Sequence, residues 1–347
     1  MKNFIVWLTG TFAAAVLLFA SGIVLIDPYC VLHKPWFGME PAGMDNAHYI
    51  ARGLIRNLDY DILVCGSSMC ENMHTDYVDA VFPGSKSIKV VQHGSYSGDL
   101  EASLTAAAEA GKADVVIMAL DTAMWRKPGE GYRLGEMPAY TIKKPSFTNI
   151  APYILNLNIF YTAISVLKQN LDGNAVRMND WWLIGDECYS EDAVYASCRE
   201  TMQNGYGLGE FDAENAYRNL ENIKKGVEAC AARGIEIKFF IPPYSAAEFL
   251  FSNDASYLDA YKKLWSGLLS YSNVEIFAIQ FDTGLISDLN LYRNTGHYNG
   301  KVCDRIIDDI ANGAYRLTKE NLDSEIGRFS SWLETYDWEE LKQKSGI

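Results

Sequence analysis

The chain has 347 residues with 49% hydrophobic and 13% aromatic content, enough for a substantial buried core in one large or two small domains, and this excludes a disordered or low-complexity chain. Acidic residues outnumber basic ones, 44 Asp and Glu against 30 Lys and Arg. No basic cluster is available to track a phosphate backbone, so nucleic acid is not an expected partner.

In chain order, the N-terminus carries an uncharged run from Asn3 to Ile26, long enough to cross a hydrocarbon core of roughly 30 Å at about 1.5 Å per helical residue. It reads as a membrane anchor over residues 1–26. A cleaved signal peptide ending near Ser21 is the rival, but its apolar region usually covers only about 7 to 15 residues. Lys2 precedes the span, Asp27 follows it and Lys34 is the first basic residue beyond, so the positive-inside rule places the remaining chain outside the membrane.

Residues 27–58, with Pro28, Pro35 and Pro41, read as a stalk and lead-in ending in a short amphipathic helix over Ala47–Asn57. The runs "DILVCGSS", "SIKVVQHG" and "ADVVIMALD" are rich in Val and Ile and end in Gly, Ser or Asp, as fully buried parallel strands do. Between the second and third, "GDLEASLTAAAEAGK" predicts a helix closed by Gly111, completing a βαβ series. An insertion over 124–209 interrupts this rhythm, with Pro128, Pro145 and Pro152, a helical stretch near Ile154–Lys168, and the aromatic segment holding Trp181 and Trp182. The two tryptophans suit either stacking on a sugar face or packing the insertion onto the core. Helix, strand, helix and strand then follow, from Asp212 to "VEIFAI". A last helix begins after "RNTGHYNG", the α/β domain runs over 59–312, and residues 313–347 form a helical tail.

The seven cysteines show no CxxC pair, which argues against a structural zinc site. Cys188 and Cys198 share one polar segment, which allows a local disulfide in an oxidising exterior without requiring one, whereas Cys65 in the first strand suits a buried apolar role.

In open parallel sheets, ligands gather at the carboxyl ends of strands, where loops converge and helix N-termini present N–H groups. Gly66, Ser67 and Ser68 sit at such an end. A serine there attacks a carbonyl when a histidine takes its proton and N–H groups receive the developing oxyanion; the plainer reading is a turn whose serine caps the next helix. Among five histidines, His297 stands apart, in a polar loop after the last strand and immediately before a helix. From there it can return to the first strand's end.

"GSSM" after the first strand, "SYSGD" after the second, "ALD" after the third and "HY" opening the last helix together resemble the SGNH/GDSL hydrolase superfamily, over Asp59 to Ala311. The resemblance implies an α/β fold of three layers, flavodoxin-like, with five main parallel strands and the insertion beside the active site. It implies Ser68 rather than Ser67 as nucleophile, His297 as base, and the N–H groups of Ser68 and Gly98 as oxyanion donors, with Gly94 the alternative to Gly98. With the anchor and insertion, the chain is similar to membrane-anchored SGNH-like proteins of bacterial envelope polymer modification, of the teichoic acid D-alanylation and exopolysaccharide O-acetylation type. That implies an extracytoplasmic O-acyl esterase or acyltransferase acting on a cell-envelope glycopolymer, with no metal or nucleotide cofactor. The alternative is a degenerate domain that binds polymer or scaffolds a membrane-bound acyltransferase.

Two positions depart from the family pattern. An Asp is usual three residues before the histidine, and Asn294 stands there; Asp288, nine residues before His297, is the other candidate to orient the ring. An Asn is usual in the third block, and Asp121 stands there, where an ionised carboxylate opposes oxyanion formation unless it is protonated, turned away or recruited elsewhere.

Overall fold

The computed structural model describes residues 1–121, 124–125, 131–181, 183–205, 212–251 and 256–347. In chain order come α1 (Lys2–Ile26), α2 (Ala47–Asn57), β1 (Ile62–Gly66), α3 (Thr75–Val81), β2 (Ser87–Val91), α4 (Ser97–Ala110) and β3 (Val115–Ala119). Next are α5 (Ala139–Ile142), α6 (Phe147–Ile154), α7 (Leu157–Leu171), α8 (Glu191–Asn204) and α9 (Ala213–Ala231). The last third holds β4 (Glu236–Phe240), α10 (Ser256–Leu268), β5 (Val274–Phe277), α11 (Thr283–Ser287), α12 (Gly300–Asn312), β6 (Arg316–Leu317), α13 (Leu322–Thr335) and α14 (Trp338–Ser345). These elements group into two compact units, Met1–Leu58 with Glu136–Trp181, and Asp59–Gly135 with Trp182–Ile347.

In the first unit, α1 is, among the described residues, the one single helix long and apolar enough to cross a membrane. It ends at Asp27, which takes the left-handed conformation at φ 42° and returns its N–H to the Ile23 carbonyl. The Asp27 carboxylate accepts from the Val31, Leu32 and His33 amides and, at 2.7 Å, from the Tyr153 hydroxyl of α6. A buried acid is satisfied here by four donors, and the chain leaving α1 is fixed to α6. The helix expected near Ile154–Lys168 is α7, and α6 precedes it as a separate helix. Pro152 lacks the N–H that would bond back one turn, α6 ends at Ile154, and α7 restarts at a 66° bend with the Asn156 side chain accepting from the Asn158 and Ile159 amides. Thus 136–181 of the insertion belongs with the anchor and lead-in, while 183–205 belongs with the α/β unit. Trp181 is buried in the first unit and donates to the Val176 carbonyl; Trp182 lies outside the described residues.

The second unit is built on a six-stranded sheet in the order β2-β1-β3-β4-β5-β6, the first five parallel. Beyond the five expected strands, the two-residue β6 pairs antiparallel with β5 and closes that edge. Strand β1 is buried along its whole length between β2 and β3, which explains its unbroken apolar run. Because side chains alternate, Ile62 and Val64 join Ile117 in the core shared with Val78 of α3 and Ile306 of α12. Helices α4 and α9 pack on each other and against β1 and β4. Their approach needs Gly226, where a Cβ would lie 2.7 Å from Leu104 Cβ.

The Cys188–Cys198 disulfide that their shared segment allows is not formed: all seven cysteines are free thiols. Cys198 faces inward from α8 and is fully buried, while Cys188 is exposed on a separate turn, so no bond joins them. Cys65 is buried in β1 as expected.

Candidate active site

The site starts where β1 ends. Gly66 turns the chain at φ 149°, and a Cβ there would meet Ala119 Cβ at 2.9 Å and Cys70 Sγ at 3.1 Å, so only glycine fits. Ser67 then caps a short helical turn over Ser68–Cys70, its hydroxyl accepting from the Met69 amide. The capping reading of Gly-Ser-Ser therefore falls on Ser67, and Ser68 is the first residue of the turn. The Ser68 hydroxyl lies 2.8 Å from His297 Nε2.

His297 is held by a tight loop rather than by a helix. Arg293 N donates to the His297 carbonyl at 3.0 Å, Tyr292 and Tyr298 pair across the loop, and Ser245, after β4, donates twice to the Thr295 carbonyl at its tip. Tyr298 OH donates to the Met69 carbonyl at 2.6 Å, tying the histidine loop to the serine turn.

Asn294 fixes the protonation pattern. Its Oδ1 accepts from the Gly296 amide at 3.0 Å and the His297 amide at 2.8 Å, so the oxygen, not the amide nitrogen, faces the ring. His297 Nδ1, 3.0 Å away, must then donate, which leaves Nε2 with a lone pair to accept from Ser68. Burial, reinforced by the charge of Arg293 and by His93, pushes the imidazole from its usual 6.5 down to about 4. The ring is thus a neutral base at neutral pH. Asp288 does not reach it: its carboxylate accepts from the Asn290 amide and caps its own turn. Between the two candidates for orienting the ring, the geometry assigns Asn294.

Asp121 is recruited to another role. One carboxylate oxygen accepts from the Ser67 hydroxyl at 3.0 Å and the other from Tyr244 OH. The acid therefore braces the serine turn through Ser67 and does not occupy the oxyanion-donor role that its alignment position suggested. The Tyr244 ring also lies against Gly296, where a Cβ would come within 3.2 Å, so one side chain touches both the acid and the histidine loop.

The two N–H groups expected to receive an oxyanion lie in first turns. Ser68 is the first residue of its turn and Gly98 the second of α4, positions whose amides have no partner within their own helix. Gly98 cannot be replaced without movement, because a Cβ would stand 2.2 Å from the Gly131 carbonyl oxygen. Gly94, the alternative, lies in the loop after β2 at φ 63° and faces the Arg133 side chain.

Sequence reasoning missed Glu71, Arg293 and Asn72. Arg293 donates to Glu71 Oε1 at 2.6 Å, Lys89 donates to the Glu71 carbonyl at 2.7 Å, and His93 Nε2 lies 3.5 Å from the other carboxylate oxygen. Burial drives the Glu71 carboxyl up to about 7, outweighing the downward pull of Arg293 and Lys89. Asn72 is a pin: its Nδ2 donates to the Tyr189 hydroxyl and the Tyr298 carbonyl, and its Oδ1 accepts from the Ile184 amide. Its one side chain joins the serine turn, the histidine loop and the later part of the insertion. The only advance signal was position, Arg293 beside Asn294 and Tyr244 at the carboxyl end of β4.

Among the described residues no three His, Cys, Asp or Glu side chains are grouped to hold a metal ion. No protein-family model matches the chain, and no curated protein is significantly similar to it in sequence.

Proposed function

We propose that the chain is a serine-dependent O-acyl esterase or acyltransferase, built on an SGNH-type α/β unit. The observation that carries this reading is the 2.8 Å contact between Ser68 Oγ and the lone pair of a buried, neutral His297. Ser68 Oγ attacks the acyl carbonyl while its proton passes to His297 Nε2. The oxyanion gathers the N–H groups of Ser68 and Gly98. As the ester C–O bond breaks, the leaving alcohol takes the proton from His297. Water or a sugar hydroxyl then gives its proton to His297 and attacks the acyl-serine, restoring Ser68 in hydrolysis or transfer alike. With α1 as a membrane anchor and the remainder outside, the substrate is a cell-envelope glycopolymer carrying O-acyl groups, as the resemblance implies.

The rival reading is a degenerate domain that binds polymer or scaffolds a membrane acyltransferase, and Asp121, standing at the position of an oxyanion donor, favours it. One experiment separates the two. A fluorophosphonate probe applied to the full chain is expected to form a covalent adduct at Ser68, found by peptide mass spectrometry, and to lose it in His297→Ala. A folded wild-type chain that takes up no probe leaves the scaffold reading in place.

A further inference from the structure

We propose that the α6–α7 elbow of the first unit is immersed in the lipid leaflet beside the C-terminal end of α1, so that this unit sits in the membrane surface as well as being anchored through it. The proposal rests on reading α1 as a membrane span. Three observations within the unit carry it.

First, α1 has a neighbour at membrane depth. The helix is exposed along its first turns and is covered only over its last, where Phe19 stacks on Phe160 of α7 with ring centroids 4.6 Å apart and Gly22 lies against the same ring. Phe19 stands seven residues inside Ile26, about 10 Å from the helix end at about 1.5 Å per residue. When α1 spans the bilayer, Phe160 and the elbow beside it lie below the membrane surface.

Second, α7 has two apolar faces. Ile159, Ala163 and Val166 point into the unit. Leu157, Tyr161, Ile164 and Leu171 form a second stripe at helical spacing, with the exposed Lys168 on the same stripe, and are 56%, 61%, 48% and 77% exposed, and Leu155 in the bend itself is 56% exposed. Lys168 is the single charged residue from Phe147 to Leu171. Such side chains left in water forgo the stabilisation of burial, whereas an interfacial helix sinks its apolar face about 5–10 Å into the headgroup and acyl boundary. That depth matches the position set by Phe19.

Third, a separate turn on α1 ends in exposed aromatics. His33 bonds to the Val24 carbonyl of α1 and stacks on Trp36, and the adjoining Phe37 is 93% exposed. Aromatic side chains at the end of a span belong at the membrane–water interface.

The occupant is therefore lipid, and the test uses the full chain in the membranes of the expressing cell. The photo-crosslinking residue p-benzoylphenylalanine replaces Leu157 or Tyr161, both exposed, so the fold is not disturbed. The same replacement at Leu8 reports the span, and at Lys225, on the second unit, reports water. Irradiation is expected to shift the 157 and 161 peptides by the mass of one phospholipid, as at Leu8, with no such shift at Lys225. Lipid adducts at Leu8 but not at 157 and 161 overturn the proposal while leaving α1 a span. Adducts to a protein at 157 and 161 overturn it in favour of a protein partner. Absence of lipid adducts at Leu8 as well removes the span itself, and the proposal with it.

Discussion

Ser68 Oγ and His297 Nε2 stand 229 residues apart in the chain and 2.8 Å apart in space. The two loops that bring them together are joined by Tyr298 and Asn72, both buried, so the contact is built into the fold.

The adjacent serines have separable effects. Ser68→Ala is expected to lower turnover of a simple acyl ester by on the order of 10⁴- to 10⁶-fold, as losing a nucleophile does elsewhere. Ser67→Ala keeps the nucleophile and removes the bond to Asp121 and a cap, which costs about 1 kcal/mol of stability and leaves most of the turnover. Equal losses in the two variants, measured by steady-state kinetics on folded protein, would exclude Ser68 from the nucleophile role.

The buried histidine sets the pH range. The free base must be neutral to act, and it stays neutral down to about 4, not 6.5, so kcat/KM is expected to hold between pH 7 and 5 and fall only as pH approaches 4. An acid limb near 6.5 in the rate profile contradicts this assignment. Folding stability is a poorer readout. The unfolded histidine takes a proton below 6.5 and the folded one only near 4, so this contribution is lost as pH falls through that window. Glu71, raised from 4.5 to about 7, acts with the opposite sign: its contribution is present at low pH and is lost as pH rises through 7.

Asn294→Asp tests the orienting residue. The backbone amides of Gly296 and His297 already hold an oxygen toward the ring, so the tautomer is correct in the wild type and the substitution adds only charge. Turnover is expected to rise on the order of 10- to 100-fold, well short of the loss of about 10⁴ seen when a triad Asp becomes Asn and the tautomer is also lost. The acid limb should move upward in the same variant, because a carboxylate favours the imidazolium. Asp288→Asn is the control and should change neither. If Asp288→Asn abolishes turnover while Asn294→Asp has no effect, Asp288 rather than Asn294 orients the ring.

Gly98→Ala probes the oxyanion donor. The new methyl meets the Gly131 carbonyl, the start of α4 must shift, and its amide leaves the carbonyl's reach. A fall in kcat on the order of 10²- to 10³-fold is expected, with KM little changed. Wild-type kcat in a variant that folds normally would move the donor role to Gly94.

How much of this was legible depends on the range of the interactions. The parallel strands and the Gly-Ser-Ser turn at the end of β1 were readable because unbroken apolar runs ending in Gly, Ser or Asp mark strand ends, where a sheet collects its chemistry, whereas the choice of Ser68 over Ser67 rested on the family resemblance. The choice between Asn294 and Asp288 was not readable, because spacing along a loop does not say how the loop folds. Tyr244, Glu71 and Asn72 were hidden for a related reason. Each is an ordinary residue in its own segment and acquires a role only through partners on loops distant in sequence. The packing of 136–181 with the lead-in carries no periodic signature, since it rests on single long-range bonds such as Tyr153 to Asp27 and Asn170 to Glu40.

The Asp27 clasp also has a mechanical meaning. A protein on a membrane helix is commonly held by a slack tether, free to swing and to rise above the surface. Here the helix ends in a left-handed residue whose carboxylate grips three successive amides within the next few residues of chain and the Tyr153 hydroxyl of α6. There is no slack in that stretch to let out. On the proposed reading of α1 as a span, the first unit is mounted on it like a bracket on a post, and its height above the bilayer is set by how deep the post is driven.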